Sequence, residues 1–175
     1  MHDDRITPNF ADEWKTIGLV LDQFNELERD IVDAIAAYVR PHATRKAFLI
    51  EYMMHTVVMP SSAKIKLVRA IARESGGPQV TRNYLMTAMS SRNALAHFHT
   101  IRGLRSNWNA LKARMSDTED EREYGFYLVV ETLEGQDLKL VSKPRAQVIG
   151  DALLSIEAAR KEVAELRKYL DSMPS

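Results

Sequence analysis

The sequence predicts a mainly α-helical protein: an up-and-down helical bundle with a small β element, a hairpin or a three-stranded insertion, before its last long helix. Three observations predict it. Apolar residues recur at alternating spacings of three and four along two long segments, 10–39 and 144–171, the mark of helices with one buried stripe. Pro41, Pro60 and Gly76-Gly77-Pro78 punctuate the helical segments between them, where the chain cannot continue a helix. Only the segment 107–142 changes character, to aromatic and β-branched residues around a turn-like Glu134-Gly135-Gln136-Asp137. The 175 residues, 45% of them hydrophobic, suit one domain over 1–175 with a sizeable core.

The first helix is expected over 10–39, on a stripe of Ile17, Val20, Phe24, Leu27, Ile31, Ala34 and Tyr38 widened by Leu21, Ile35 and Val39. Pro41 stops it, because proline disfavours helix at the residue before it. A second, shorter helix over 44–58 has Phe48, Leu49, Tyr52 and Met53 as its expected core contacts. Ser61 or Ser62 is placed to cap a third helix, which runs to about Glu74 on Ile65, Val68, Ile71 and Ala72. Thr81 is the expected cap of a fourth, through Tyr84, Leu85, Ala88, Met89 and Leu95 to about His97, so that the helices of 10–97 include the one that carries the motif described below. Residues 98–106 read as a loop and Asp117 to Glu123 as a solvated charged stretch. In 107–142, Tyr124 to Thr132 and the alternating Leu138, Leu140 and Ser142 make a hairpin, with Trp108 to Met115 as a third strand. A lone hairpin is marginal in water, so it must pack on the helices. Pro144 suits the first position of the closing helix. Its seam of Ile149, Ala152, Ile156, Ala159, Val163, Leu166 and Leu170 serves core packing within the bundle or a dimer interface.

The chain has no cysteine, which excludes disulfides, thiol nucleophiles and Cys-ligated zinc. Its start, MHDDRITPNF, is acidic and lacks an apolar signal core, and no apolar run approaches the length of a bilayer span. The expectation is a soluble cytoplasmic protein with no membrane contact. The net charge is zero, but residues 52–116 carry 10 Lys/Arg against one acid, Glu74, between two acidic ends. Either the acidic helices pair with this basic centre inside the fold, or the centre faces an anionic partner.

Few residues suggest chemistry. His97 and His99 form an H-x-H pair without a third ligand nearby, so no metal site is expected, and there is no glycine-rich phosphate loop. The informative segment is Ser91-Arg92-Asn93-Ala94-Leu95-Ala96-His97. Arg92 is a permanent planar cation matched to phosphate. His97, at a helix C-terminus, meets the partial negative charge that favours imidazolium, a state suited to acid–base work. Asn93 and His97 are four apart and share a helix face, so Asn93 is placed to orient the imidazole. Arg92 and His97 are five apart and diverge by about 140° around an ideal helix, so they do not form a simple dyad within one chain.

The string Arg92-Asn93-x-x-x-His97 resembles the R-x(4–6)-H motif of HEPN domains (higher eukaryotes and prokaryotes nucleotide-binding), in which a polar residue, often asparagine, follows the arginine. The long first helix with Phe24-Asn25-Glu26-Leu27-Glu28 also resembles that family's first helix, either Glu26 or Glu28 standing at its acidic position. The resemblance implies a HEPN-like bundle and a metal-independent endoribonuclease with no cofactor. It also implies a homodimer in which two Arg92/His97 sets meet at a shared cleft, toxin- or defence-like in its biology, and an antitoxin partner such as a nucleotidyltransferase. His97 is then the general acid or base, Arg92 the phosphate ligand, and Asn93 the residue that orients His97 or touches the phosphate. Arg82, Arg102, Arg105, Lys112 and Arg114 are candidates for tracking the RNA backbone, and Trp108 for stacking on a base or packing in the core. The alternative expectation is a non-catalytic HEPN-like dimerisation or adaptor module, for which the seam from Ile149 to Leu170 would serve, or an RNA-binding module.

Overall fold

The structure is a computed structural model and describes residues 10–96, 127–134 and 137–174. The described protein is mainly helical. Helix α1 (Phe10–Val39) is followed by a short α2 (Ala43–Phe48), which passes directly into a π-helical turn (Leu49–Met53). Then come α3 (Ser61–Glu74), α4 (Arg82–Ala96), strands β1 (Tyr127–Glu134) and β2 (Asp137–Pro144), and a closing helix α5 (Arg145–Ser172). The strands pair antiparallel, with Val130 opposite Val141 and Glu134 opposite Asp137. Leu128 and Val130, two apart on β1, are both buried, and β1 lies against α4. Residues 98–106, Trp108–Met115 and Asp117–Glu123 lie outside the described residues.

The two long stripes form the core. On α1, Ile17, Val20, Phe24, Leu27, Ile31, Ala34 and Ile35 are buried; on α5, Ala152, Ile156, Ala159, Val163, Leu166 and Leu170 are. The α5 seam is therefore spent inside the chain and is no dimer or adaptor surface. Its first member is displaced by one residue, since Val148 is buried and Ile149 only half so. The α1 stripe ends earlier than its spacing predicts. Tyr38 and Val39 are exposed, because the helix there has passed the last turn that other elements cover.

Polar contacts give the direction of packing. Arg160 on α5 donates to Gln23 at 3.3 Å and to Asp30 at 2.7 Å, and Arg167 reaches Asp33 at 2.8 Å. Arg40, just past α1, donates to the carbonyls of Leu170, Met173 and Pro174 at 3.1, 2.6 and 2.9 Å. The partners rise together on both helices, so α1 and α5 run parallel. Arg40 itself sits at φ 48°, a left-handed conformation that disfavours a side chain. That strain is offset by the three carbonyls its guanidinium caps at the end of α5.

The segment 44–58 is not one α-helix. After Phe48 the backbone widens to a π-turn, and the buried residues become Leu49 and Met54, five apart, as suits the longer π repeat. Phe48, Tyr52 and Met53, the expected core contacts, are exposed at 57%, 62% and 46%. A further correction concerns the cap of α3. Pro60 occupies the N-cap position, and the Ser61 hydroxyl instead donates to Glu28 on α1 at 3.0 Å. The same Glu28 oxygen accepts from Lys64 at 2.9 Å, and that lysine is buried.

At its other end α3 stops in a Schellman turn. Gly76 takes φ 64°, its N–H meets Arg73 O, and the Gly77 N–H meets Ala72 O. A Cβ on Gly77 would lie 2.9 Å from the Tyr169 ring, so α5 packs against bare backbone there. Thr81 precedes α4, but its hydroxyl turns to another helix. Thr81 N–H and Oγ1 both donate to the Glu162 carboxylate of α5, at 2.6 and 2.8 Å. Tyr84, one turn on, is exposed rather than core. Pro144 is the last residue of β2, and α5 begins at Arg145, one residue later than its proline suggests.

Two stability outcomes follow. Glu28→Ala leaves the buried Lys64 without its carboxylate and should cost about 3–5 kcal/mol in urea unfolding, while Glu28→Ala with Lys64→Met should recover most of that loss. Glu162→Ala removes both acceptors from the start of α4 and should cost about 1–2 kcal/mol, as an N-cap deletion does.

Candidate active site

Helix α4 carries the motif. Leu85, Ala88, Ser91 and Leu95 are buried, at spacings of three and four that form its inward face. Ala88 and Ser91 are small and allow a close approach. Arg92 follows Ser91 by one residue and lies seven after Leu85, so it falls on the margin of this face and is half-buried.

Two contacts hold the Arg92 guanidinium. Its carbon lies 5.9 Å from the centroid of the Phe24 ring on α1, at the outer range of a cation–π contact. Its Nη1 donates to Asn93 Oδ1 at 3.1 Å. Phe24 is itself buried in the α1 stripe, so the brace stands on the core. The guanidinium keeps further N–H donors on its fork, the geometry that meets two oxygens of a phosphate.

Asn93 is exposed, and its side-chain oxygen serves Arg92. The sequence expectation gives it the task of orienting His97 or touching the phosphate. His97 lies outside the described residues, as do Arg102, Arg105, Trp108, Lys112 and Arg114. Arg82 is in the first turn of α4, ten residues from Arg92 and about 15 Å along the axis. The structure thus brings Arg92 and Asn93 together and sets Arg82 apart.

The two acidic candidates on α1 have different neighbours. Glu28 joins Ser61 and Lys64 of α3, whereas Glu26 pairs with Arg29 within α1 at 3.0 Å. Phe24 is the residue that sequence reasoning missed. The α1 stripe marks it as core, but its ring meets Arg92 only through the crossing of α1 and α4.

Two concavities among the described residues lie elsewhere. One, of about 330 Å³, sits where α1 and α5 end, between Asp33, Arg40, Lys46, Arg167 and Asp171. The other, of about 410 Å³, lies between α1 and α5 at Leu19, Gln23, Leu153, Ile156, Glu157 and Arg160. Neither includes Arg92 or Asn93. Also among the described residues, no three His, Asp or Glu side chains converge as metal ligands would, and no helix is long and apolar enough to cross a membrane.

Comparison of the chain with protein-family models, with curated proteins and with solved structures finds no match.

Arg92 touches the core only at its margin, so Arg92→Ala should cost less than about 1 kcal/mol of stability in urea unfolding. Phe24→Ala should cost about 3–5 kcal/mol, because it empties a buried aromatic site.

Proposed function

We propose that this protein is a HEPN-like endoribonuclease that cleaves RNA without metal, at a site completed by two copies of the chain. The observation that carries the reading is the placement of Arg92. It stands in the last turns of α4, held by Phe24 and Asn93, five residues before His97. A phosphate ligand that is ordered before substrate arrives loses little freedom on binding. Within one chain the described part of the site is a helix margin rather than a pocket. Two such margins facing across a two-fold axis would enclose a cleft with two guanidinium groups and two imidazoles. On this reading the β1–β2 hairpin is an insertion before the last helix of a HEPN-like bundle.

The chemistry is transesterification within RNA. One His97 accepts the proton of a ribose 2′-OH as its oxygen attacks the adjacent phosphorus. The P–O5′ bond breaks, and the second His97 donates a proton to the departing oxygen. Arg92 binds the non-bridging oxygens and stabilises the charge that grows on them. The products are a 2′,3′-cyclic phosphate and a free 5′-OH, and DNA is inert because it lacks the nucleophile. We assign the protein to the cytoplasm, as a toxin- or defence-like nuclease with an antitoxin partner such as a nucleotidyltransferase. The adaptor alternative loses its specific support, since the seam it would use is buried against the rest of the chain.

End-labelled RNA and matched DNA, incubated with the protein in EDTA, test the reading. RNA alone should be cut, with cyclic-phosphate ends. His97→Ala and Arg92→Ala should each slow cleavage by about a hundredfold or more while leaving the far-UV spectrum unchanged. Cleavage equal in wild type and His97→Ala, or intact RNA across structured and unstructured substrates, would count against it.

A further inference from the structure

One cluster of exposed apolar residues does not belong to the Arg92 site. It lies on α2 and the π-turn, where Phe48 and Tyr52 are 57% and 62% exposed. Their rings stack on each other, with centroids 5.5 Å apart and planes 23° from parallel. Arg45 precedes Phe48 by three residues within α2, which sets the cation on the side of the helix that carries the ring. Val57 and Val58, beyond the turn, are exposed at 86% and 69%.

The buried residues here are Leu49 and Met54, while Phe48, the last residue of α2, and Tyr52, within the π-turn, face outward. Such turns occur disproportionately at functional sites. The electrostatic setting favours one occupant. On α2 and the π-turn two exposed cations, Arg45 and Lys46, stand against one acid, Glu51, so an anionic partner is favoured over a neutral apolar one. Flat exposed rings beside cations, in a basic stretch, suit unpaired bases linked by phosphates.

We propose that Arg45, Phe48 and Tyr52 form a platform for single-stranded RNA, the rings stacking on unpaired bases and Arg45 meeting the backbone. The platform deepens the RNA-cleaving reading by naming a substrate class, RNA with an unpaired stretch, and a surface that holds it apart from the scissile phosphate. Bases paired in a duplex have no free face to offer, so the platform discriminates against double-stranded RNA.

Binding is measured separately from cleavage by using a labelled 2′-O-methyl oligoribonucleotide, which lacks the attacking hydroxyl. Fluorescence anisotropy on the wild-type full chain should show tighter binding to the single strand than to its duplex. Phe48→Ala with Tyr52→Ala should weaken single-strand binding by about tenfold or more, and the melting curve should be unchanged because both rings are exposed. Arg45→Ala should lower the slope of log affinity against log salt by about 0.7. Unchanged affinity in the double-ring variant, equal affinity for duplex, or no binding to the single strand overturns the platform. So does a loss of dimer in the double-ring variant by sedimentation, which would assign the rings to a second copy of the chain. Absent cleavage with ring-dependent single-strand binding would sink the nuclease and leave the platform standing.

Discussion

Gln23, Asp30, Asp33 and Arg40 meet Arg160, Arg167 and the end of α5 in rising order, so the first and last helices run parallel. With 30 and 28 residues they are each more than 40 Å long, and their stripes supply most of the core. Parallel neighbours joined by one chain need an even number of reversals between them. Ser61 and Lys64 meet Glu28 while Ser75 meets Tyr169, so α3 climbs beside α1. The α2–π segment must therefore descend, and so must α4, from Thr81 at Glu162 to Arg92 at Phe24. The descending arm, residues 41–60, returns from the end of α1 to the level of Glu28 through a short helix and a π-turn.

Charge is arranged along the same frame. The acids of α1 that face α5 are answered by cations of α5, Asp30 by Arg160 and Asp33 by Arg167. These pairs are a third to a half exposed, so they set register more than they stabilise. Among the described residues one pair, Glu28–Lys64, links an acid of the N-terminal third to a cation of the basic centre. Among the described residues, the other cations of that centre, such as Lys66, Arg73 and Arg92, form no ion pair with the acids of α1 or α5. Arg92 belongs to this surplus and is positioned by a ring and an amide rather than neutralised by a carboxylate, which leaves its charge for an anion.

The sequence by itself determined the elements whose residues satisfy a local rule. The three-and-four stripes of α1 and α5 repeat often enough that one face must be buried whatever covers it. Pro41 and Gly76-Gly77 end helices, and Pro60 opens one, through their own backbones. The Arg92-Asn93-x-x-x-His97 string was equally legible, because a short motif needs no partner to be read. The tertiary structure decided what depends on a second element. Ser61 and Thr81 read as caps by local rule, yet Pro60 takes the N-cap position of α3, and both hydroxyls donate to carboxylates on other helices, Glu28 and Glu162. Phe48 and Tyr52 have core spacing by local rule, yet α2 and the π-turn bury Leu49 and Met54 instead. Phe24 reads as one more core residue until α4 crosses α1 and lays Arg92 over its ring. Periodicity says that a face is covered; which side chain covers it, and whether a cation is left facing solvent, is settled only when the helices meet.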